Sequence, residues 1–210
     1  TRPPRDPQGF PAAVGTAFDA LVKRAAAEAL GVECPSLADL LANVETEHAR
    51  AVALGRDVFQ SYVGCGAFET FLLQKPCRFD CRLEGVIHDS VDPILLQGIP
   101  DAVLEDGIHD WKVKSVNRPG GASPTPGFES FLGFDGTRKG AHERHGQSLE
   151  DVDERWAIQV ATYGWLLGFS GPIKASIDEV IVGKGVARFR ATVSETFQER
   201  LRERYRAAWT

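Results

Sequence analysis

No methionine occurs anywhere in the 210 residues and the first residue is Thr1, so the sequence reads as a processed or partial chain. No apolar run approaches the roughly 20 residues that a membrane helix needs. The opening TRPPRDPQGFP has neither the basic start nor the apolar core of a signal peptide. These absences point to the cytoplasm and away from membranes. Cysteine is scarce: Cys34, Cys65, Cys77 and Cys81 form no paired C-x-x-C. Cys77 and Cys81 fall at alternate positions of a predicted strand, where they read as buried, reduced thiols rather than a zinc pair. Positive charge is not in excess either. The formal net charge is -5, whereas domains that grip duplex nucleic acid commonly carry a basic surplus.

What is present is an ordinary globular composition, 43% hydrophobic and 25% charged, enough for one domain with one sizeable core spanning 1–210. Residues 1–14, rich in Pro, read as an extended lead-in. Helical spacing of Phe18, Leu21, Val22, Ala25 and Ala29 predicts a helix over 16–30, stopped by Gly31, with Asp19 in its first turn. Ser36 is a candidate N-cap for a second helical region, and His48 begins a third that reaches Tyr62. Alternation from Pro76 to Glu84 predicts a strand, followed by strands over 94–104 and 107–116. Residues 117–148, dense in Gly, Pro and Ser, read as a long loop insertion, either a mobile lid or clamp over a site or a partly disordered insertion; its His142 and His145 are weak candidates for metal. A helix over 149–169, two strands over 175–182 and 187–193, and a helix capped by Ser194 close the chain. The fold class expected is α/β.

The stretch 98–114, GIPDAVLEDGIHDWKVK, reads as a hairpin turning at Glu105, Asp106 and Gly107. Asp110 and Lys112 share one face of its second strand, with Trp111 on the other. The hairpin brings Asp101 near Asp110. Charged groups on a buried strand cost several kcal/mol unless paired or metal-bound. Two carboxylates beside a lysine offer the oxygen ligands that Mg²⁺ or Mn²⁺ takes.

Pro100-Asp101, eight further residues, then Asp110-Trp111-Lys112 resembles the signature of the PD-(D/E)XK nuclease superfamily. Gln159 to Tyr163 is similar to the Q-x-x-x-Y helix of its RecB and lambda-exonuclease branch. Gly15 followed by Asp19 is similar to that branch's G-x-x-x-H motif, with aspartate in the histidine position. The three marks run in order from 15 to 163. The resemblance implies a restriction-endonuclease-like fold, a mixed central sheet flanked by helices. It also implies a metal-dependent deoxyribonuclease, an exonuclease by preference, of a bacterial cell or phage-infected host. Asp101 and Asp110 would ligate Mg²⁺ or Mn²⁺ with the backbone carbonyl of Trp111, Lys112 would hold water or phosphate, and Gln159 and Tyr163 would orient the strand. Asp19 and Glu84 are possible further members of the site. DNA is the implied partner, within a larger recombination, repair or replication assembly. Each bound ion would restore positive charge that the composition lacks. The late cysteines of iron-sulfur members are missing, so no cluster is expected. The alternative is a nuclease-like module that binds nucleic acid or protein without cleavage. Lys184, Arg188, Arg190, Arg200, Arg202, Arg204 and Arg206 form a basic C-terminal region, whose last four read as a solvated helix face paired with Glu199 and Glu203.

Overall fold

The computed structural model describes residues 9–42, 44, 49–87, 93–114, 122–140 and 148–209. Helix α1 (Phe10–Leu30) starts earlier than its apolar spacing indicates, because Pro11 sits in its first turn, where a missing N–H costs nothing. Asp19 therefore lies in mid-helix rather than in the first turn. Gly31 ends the helix at φ 67°. Three helices follow: α2 (Leu37–Leu41), capped by Ser36, whose hydroxyl accepts the Asp39 N–H, then α3 (Ala49–Gly64) and α4 (Ala67–Leu72).

The predicted strand over 76–84 is two strands in two sheets, β1 (Arg78–Phe79) and β2 (Leu83–Ile87), parted by Asp80 at φ 50°. The next predicted strand divides in the same way. β3 (Ile94–Gly98) pairs with β2 as a separate ribbon, and β4 (Ala102–Val103) joins the main sheet with β5 (Gly107–Lys114). Within 117–148, β6 (Ser130–Gly133) and β7 (Arg138–Lys139) form a hairpin, and β6 pairs with the later strand β9. The middle of the expected loop is therefore part of the sheet. His48, His142 and His145 lie outside the described residues. A short α5 (Leu149–Val152) and α6 (Glu154–Leu166) divide at Asp153, whose carboxylate accepts the Arg155 and Trp156 N–H groups. Strands β8 (Ile173–Ile181) and β9 (Gly185–Val193) and helix α7 (Glu195–Trp209) complete the chain.

The seven-stranded sheet has the order β1-β4-β5-β8-β9-β6-β7. β5 and β8 run parallel and the other pairs are antiparallel, giving a mixed sheet flanked by helices, the α/β class expected from sequence. One face packs Trp111, Val180 and Val186 against α1, α3 and α4; the other packs Ile108, Ile177 and Phe189 against α6 and α7. Close approach of α6 needs Gly164, where a Cβ would overlap Ile173. Among the described residues no helix is long and apolar enough to cross a membrane.

Of the basic C-terminal region Arg188 is buried, while Lys184, Arg190, Arg200 and Arg204 are exposed. Arg188 is 2% exposed and donates to Asp178 from Nε at 2.7 Å and Nη2 at 2.5 Å. The Tyr62 hydroxyl donates to the same carboxylate at 2.6 Å, and Trp111 Nε1 donates to Tyr62 at 3.3 Å. This buried network fixes the back of the Trp111 ring. Arg204 pairs with Glu154, and Arg202 lies over Trp165 at 4.8 Å. The expected partners of this face, Glu199 and Glu203, are not the ones these arginines take. The cysteines are all free thiols, but Cys77 is exposed and Cys81 half-buried, because their segment breaks at Asp80 instead of continuing as a buried strand.

Candidate active site

β4 is two residues long, so beyond His109 no strand among the described residues lies beside the outer edge of β5. A cavity of about 290 Å³ opens there, walled by the start of α1, by β5 and by Gln159 of α6. Asp19, Asp101, Asp110 and Lys112 all line it. The exposed edge amide of Trp111 donates to Asp101 Oδ2 at 3.1 Å. A strand residue projects its N–H and C=O to the same side, so the Trp111 carbonyl faces the edge on which Asp101 lies. Asp110 and Lys112 point to the α6 face, as their spacing requires, and Trp111 points to the other.

Four polar side chains lock together on that face. Lys112 Nζ pairs with Asp110 Oδ2 and donates to Gln159 Oε1 at 2.7 Å. Gln159 Nε2 donates to Asp110 Oδ1 at 3.1 Å and to the Tyr163 hydroxyl at 3.0 Å. One helical turn separates Gln159 from Tyr163, which is why one amide reaches both the strand and the phenol. Tyr163 is held from behind by β3: a Cβ on Gly98 would come within 2.6 Å of its ring.

A residue not singled out from sequence ties the acidic groups together. Lys23, 1% exposed, places Nζ 2.6 Å from Asp19, 3.0 Å from Asp80 and 3.0 Å from Asp101. The legible signal was the Asp19/Lys23 spacing of one turn, on a helix face that also carries Ala20, Ala26 and Ala27. Burial works against the ammonium, yet Asp101, Asp19 and Asp80 together hold its pKa above the ordinary lysine value. Asp101 is held low: burial opposes ionisation, and Lys23, Lys112 and the Trp111 amide outweigh it. Asp110, 2% exposed, is pushed up to about 7 by burial and then by the charge of Asp101, against the pull of Lys112. Asp19 is raised by burial and by Asp101, and its Oδ1 is buried without a hydrogen-bond donor among the described residues.

Glu84 takes no part in this cavity. It lies half exposed on β2, paired with Arg82 at 2.8 Å and accepting from Gln97 at 3.1 Å, because the break at Asp80 carries its strand into the separate ribbon.

Among the described residues no three His, Cys, Asp or Glu side chains are already gathered as a metal shell; lysines hold the carboxylates instead. The donor set is nevertheless one that a hard divalent cation fits. It consists of carboxylate oxygens and an edge carbonyl, one carboxylate oxygen lacks a donor, and Asp110 is costly to ionise without a cation.

No family model matches the chain, and no curated protein matches it in sequence. Its fold is shared with a crystal structure from Eubacterium rectale described as a "putative exonuclease", at a TM-score of 0.52 and 10% identity. The match covers 95% of this chain and 64% of that one. The chain thus spans just under two thirds of the length of its structural neighbour. The likeness is one of fold: the mixed seven-stranded sheet of this chain, flanked by helices, has a nuclease-like arrangement.

Proposed function

We propose that the protein is a divalent-metal-dependent DNA nuclease of the PD-(D/E)XK superfamily, RecB-like branch, acting from DNA ends. The observation that carries this reading is the meeting of Asp101, Asp110 and Lys112 in one cavity at the open edge of β5. Fold likeness to a protein described as an exonuclease supports it.

Asp101, Asp110 and the Trp111 carbonyl would hold Mg²⁺ or Mn²⁺, with Asp19 as a further oxygen donor. Such an ion, when bound, activates water and offsets charge that builds on phosphate oxygens. Lys112 supplies an ammonium for the attacking water or a phosphate oxygen, aimed by Asp110 and Gln159. Gln159 fixes that aim because its oxygen faces Lys112 while its nitrogen faces Asp110 and Tyr163. The Tyr163 hydroxyl accepts from Gln159, which leaves its own O–H to donate to the DNA backbone.

The test is incubation with linear, nicked-circular and closed-circular duplexes and with single strands, in Mg²⁺, Mn²⁺ or EDTA. Cleavage of linear DNA that needs the ion and spares closed circles is expected. DNA that is bound but left intact in both ions would favour a binding module instead.

A further inference from the structure

On the α6 face of the sheet, away from the carboxylates, lies a second cavity of about 370 Å³. Its walls include Pro124, Phe128, Phe131, Lys139 and Lys184. That volume lies in the range of small-ligand pockets, about 300–1,000 Å³. Phe128 and Phe131 sit 6.3 Å apart at 55°, both only partly buried. Two lysines and one carboxylate are among its lining: Lys184 Nζ donates to the Ala122 carbonyl at 2.8 Å, and Asp135 Oδ1 accepts the Thr137 N–H at 2.9 Å.

Strand register relates this cavity to the candidate active site. Lys112 pairs with Glu179, Glu179 with Ala187, and Ala187 with Phe131. Residues paired across neighbouring strands project to the same face. These four therefore form one row, and three strand spacings of about 4.8 Å put Phe131 about 14 Å from Lys112. Glu179 and Ala187 in mid-row are fully buried, so a strand joining the two ends passes over what covers them and needs at least about four nucleotides at about 3.4 Å each. The row is built to hold its far end still. Glu179, 0% exposed, accepts from the Thr125 amide and hydroxyl, each at 2.7 Å, and pairs with Lys114 at 2.5 Å. Pro124, adjacent to Thr125, is thereby fixed as a wall of the cavity.

From this geometry we infer that the second cavity is a nucleobase site for an unpaired strand whose backbone reaches Lys112. An aromatic wall accepts the face of any base, while Lys139 and Lys184 attract the flanking phosphates. Only a base outside the duplex stack presents a free face, so the ligand is a single strand or a frayed end. The inference rests on the nuclease reading for its direction but is tested without cleavage.

Binding of a fluorescein-labelled oligothymidylate and of a duplex of equal length, followed by anisotropy in EDTA, tests it. Parallel cleavage assays in Mn²⁺ are scored separately. The parental protein should prefer the single strand. Phe128→Ala and Phe128→Leu should each weaken it about ten-fold, the scale of one lost base stack. Lys139→Gln and Lys184→Gln should each lower the slope of log Kd against log salt by about 0.7. Should the alanine variant fold poorly, the leucine variant, which keeps apolar packing and loses the ring, carries the test. Parental affinity in Phe128→Leu, equal affinity for duplex, or no single-strand binding at all overturns the site even if DNA is cut in Mn²⁺. Weakened binding in the Phe128 variants with no cleavage by any form supports the site and overturns the nuclease reading.

Discussion

Lys112→Ala removes an ammonium while leaving both carboxylates in place, so kcat should fall about 100-fold or more with Mn²⁺ affinity little changed. Asp110→Asn should instead weaken Mn²⁺ binding, about ten-fold or more, because an amide replaces an anionic ligand. Steady-state kinetics and Mn²⁺ titration on the pair separate the two roles. Gln159→Ala and Tyr163→Phe should each cost about 1–3 kcal/mol of transition-state stabilisation. Lys23→Met strips the cation from Asp19, Asp80 and Asp101 and should destabilise by about 3 kcal/mol in EDTA. Added Mn²⁺ should restore more stability to this variant than to the parent in urea unfolding, because it supplies the missing charge. His109 gives a prediction in pH. It is fully buried, neither ring nitrogen has a partner among the described residues, and burial pulls its pKa from 6.5 down to about 4. The unfolded chain binds the extra proton between these values, so the contribution of His109 is complete above 6.5 and is lost as pH falls toward 4. Asp110, raised to about 7, has the opposite sign: its contribution is complete below 3.8 and declines as pH climbs to about 7. His109→Phe should therefore be more stable than the parent at pH 5, and the advantage should shrink by pH 7. At this scale spacing revealed Asp101, Asp110 and Lys112 as neighbours and Gln159 and Tyr163 as one turn apart, whereas only the family resemblance put the two groups together. Lys23 stayed hidden because its other partners, Asp80 and Asp101, are distant in sequence and meet it only through the fold.

The elements most legible in the sequence are the long periodic ones. β8, β9, α6 and the Ser194 cap of α7 lie close to their expected places, since their apolar residues recur over many positions. Elements decided by a single backbone angle were not legible. Alternation runs straight through Asp80, and nothing in it announces the positive φ that sends β1 and β2 to different sheets. β6 is four residues in a Gly- and Pro-rich setting, too short for a period to show. It is nonetheless structural: Leu132 and Phe134 pack against the α1/α3 core, and Arg138 Nη2 donates to the Cys65 carbonyl at 2.7 Å. Replacing 124–139 with a Gly-Ser linker should accordingly lower the thermal midpoint and activity together, where a lid alone would lower only activity. Gly164→Val, which drives α6 off Ile173, should destabilise by about 1–3 kcal/mol and shift Gln159 with the helix, so kcat should also fall.

At the scale of the whole molecule, the two cores lie on opposite faces of one sheet and share β5, β8 and β9, with Trp111 reporting one face and Trp156 the other. Unfolding followed separately in Trp111→Phe and Trp156→Phe proteins should show one shared transition; two midpoints would mean that the faces melt independently. The strands at the two borders of the sheet, β1 and β7, are each two residues long, and each carries an exposed cation, Arg78 on one side and Arg138 with Lys139 on the other. Short, charged borders offer a second copy too few free amides and carbonyls to dock on, and like charges repel any that approaches. Growth of the seven-stranded sheet, strand by strand, is thereby disfavoured at these two borders.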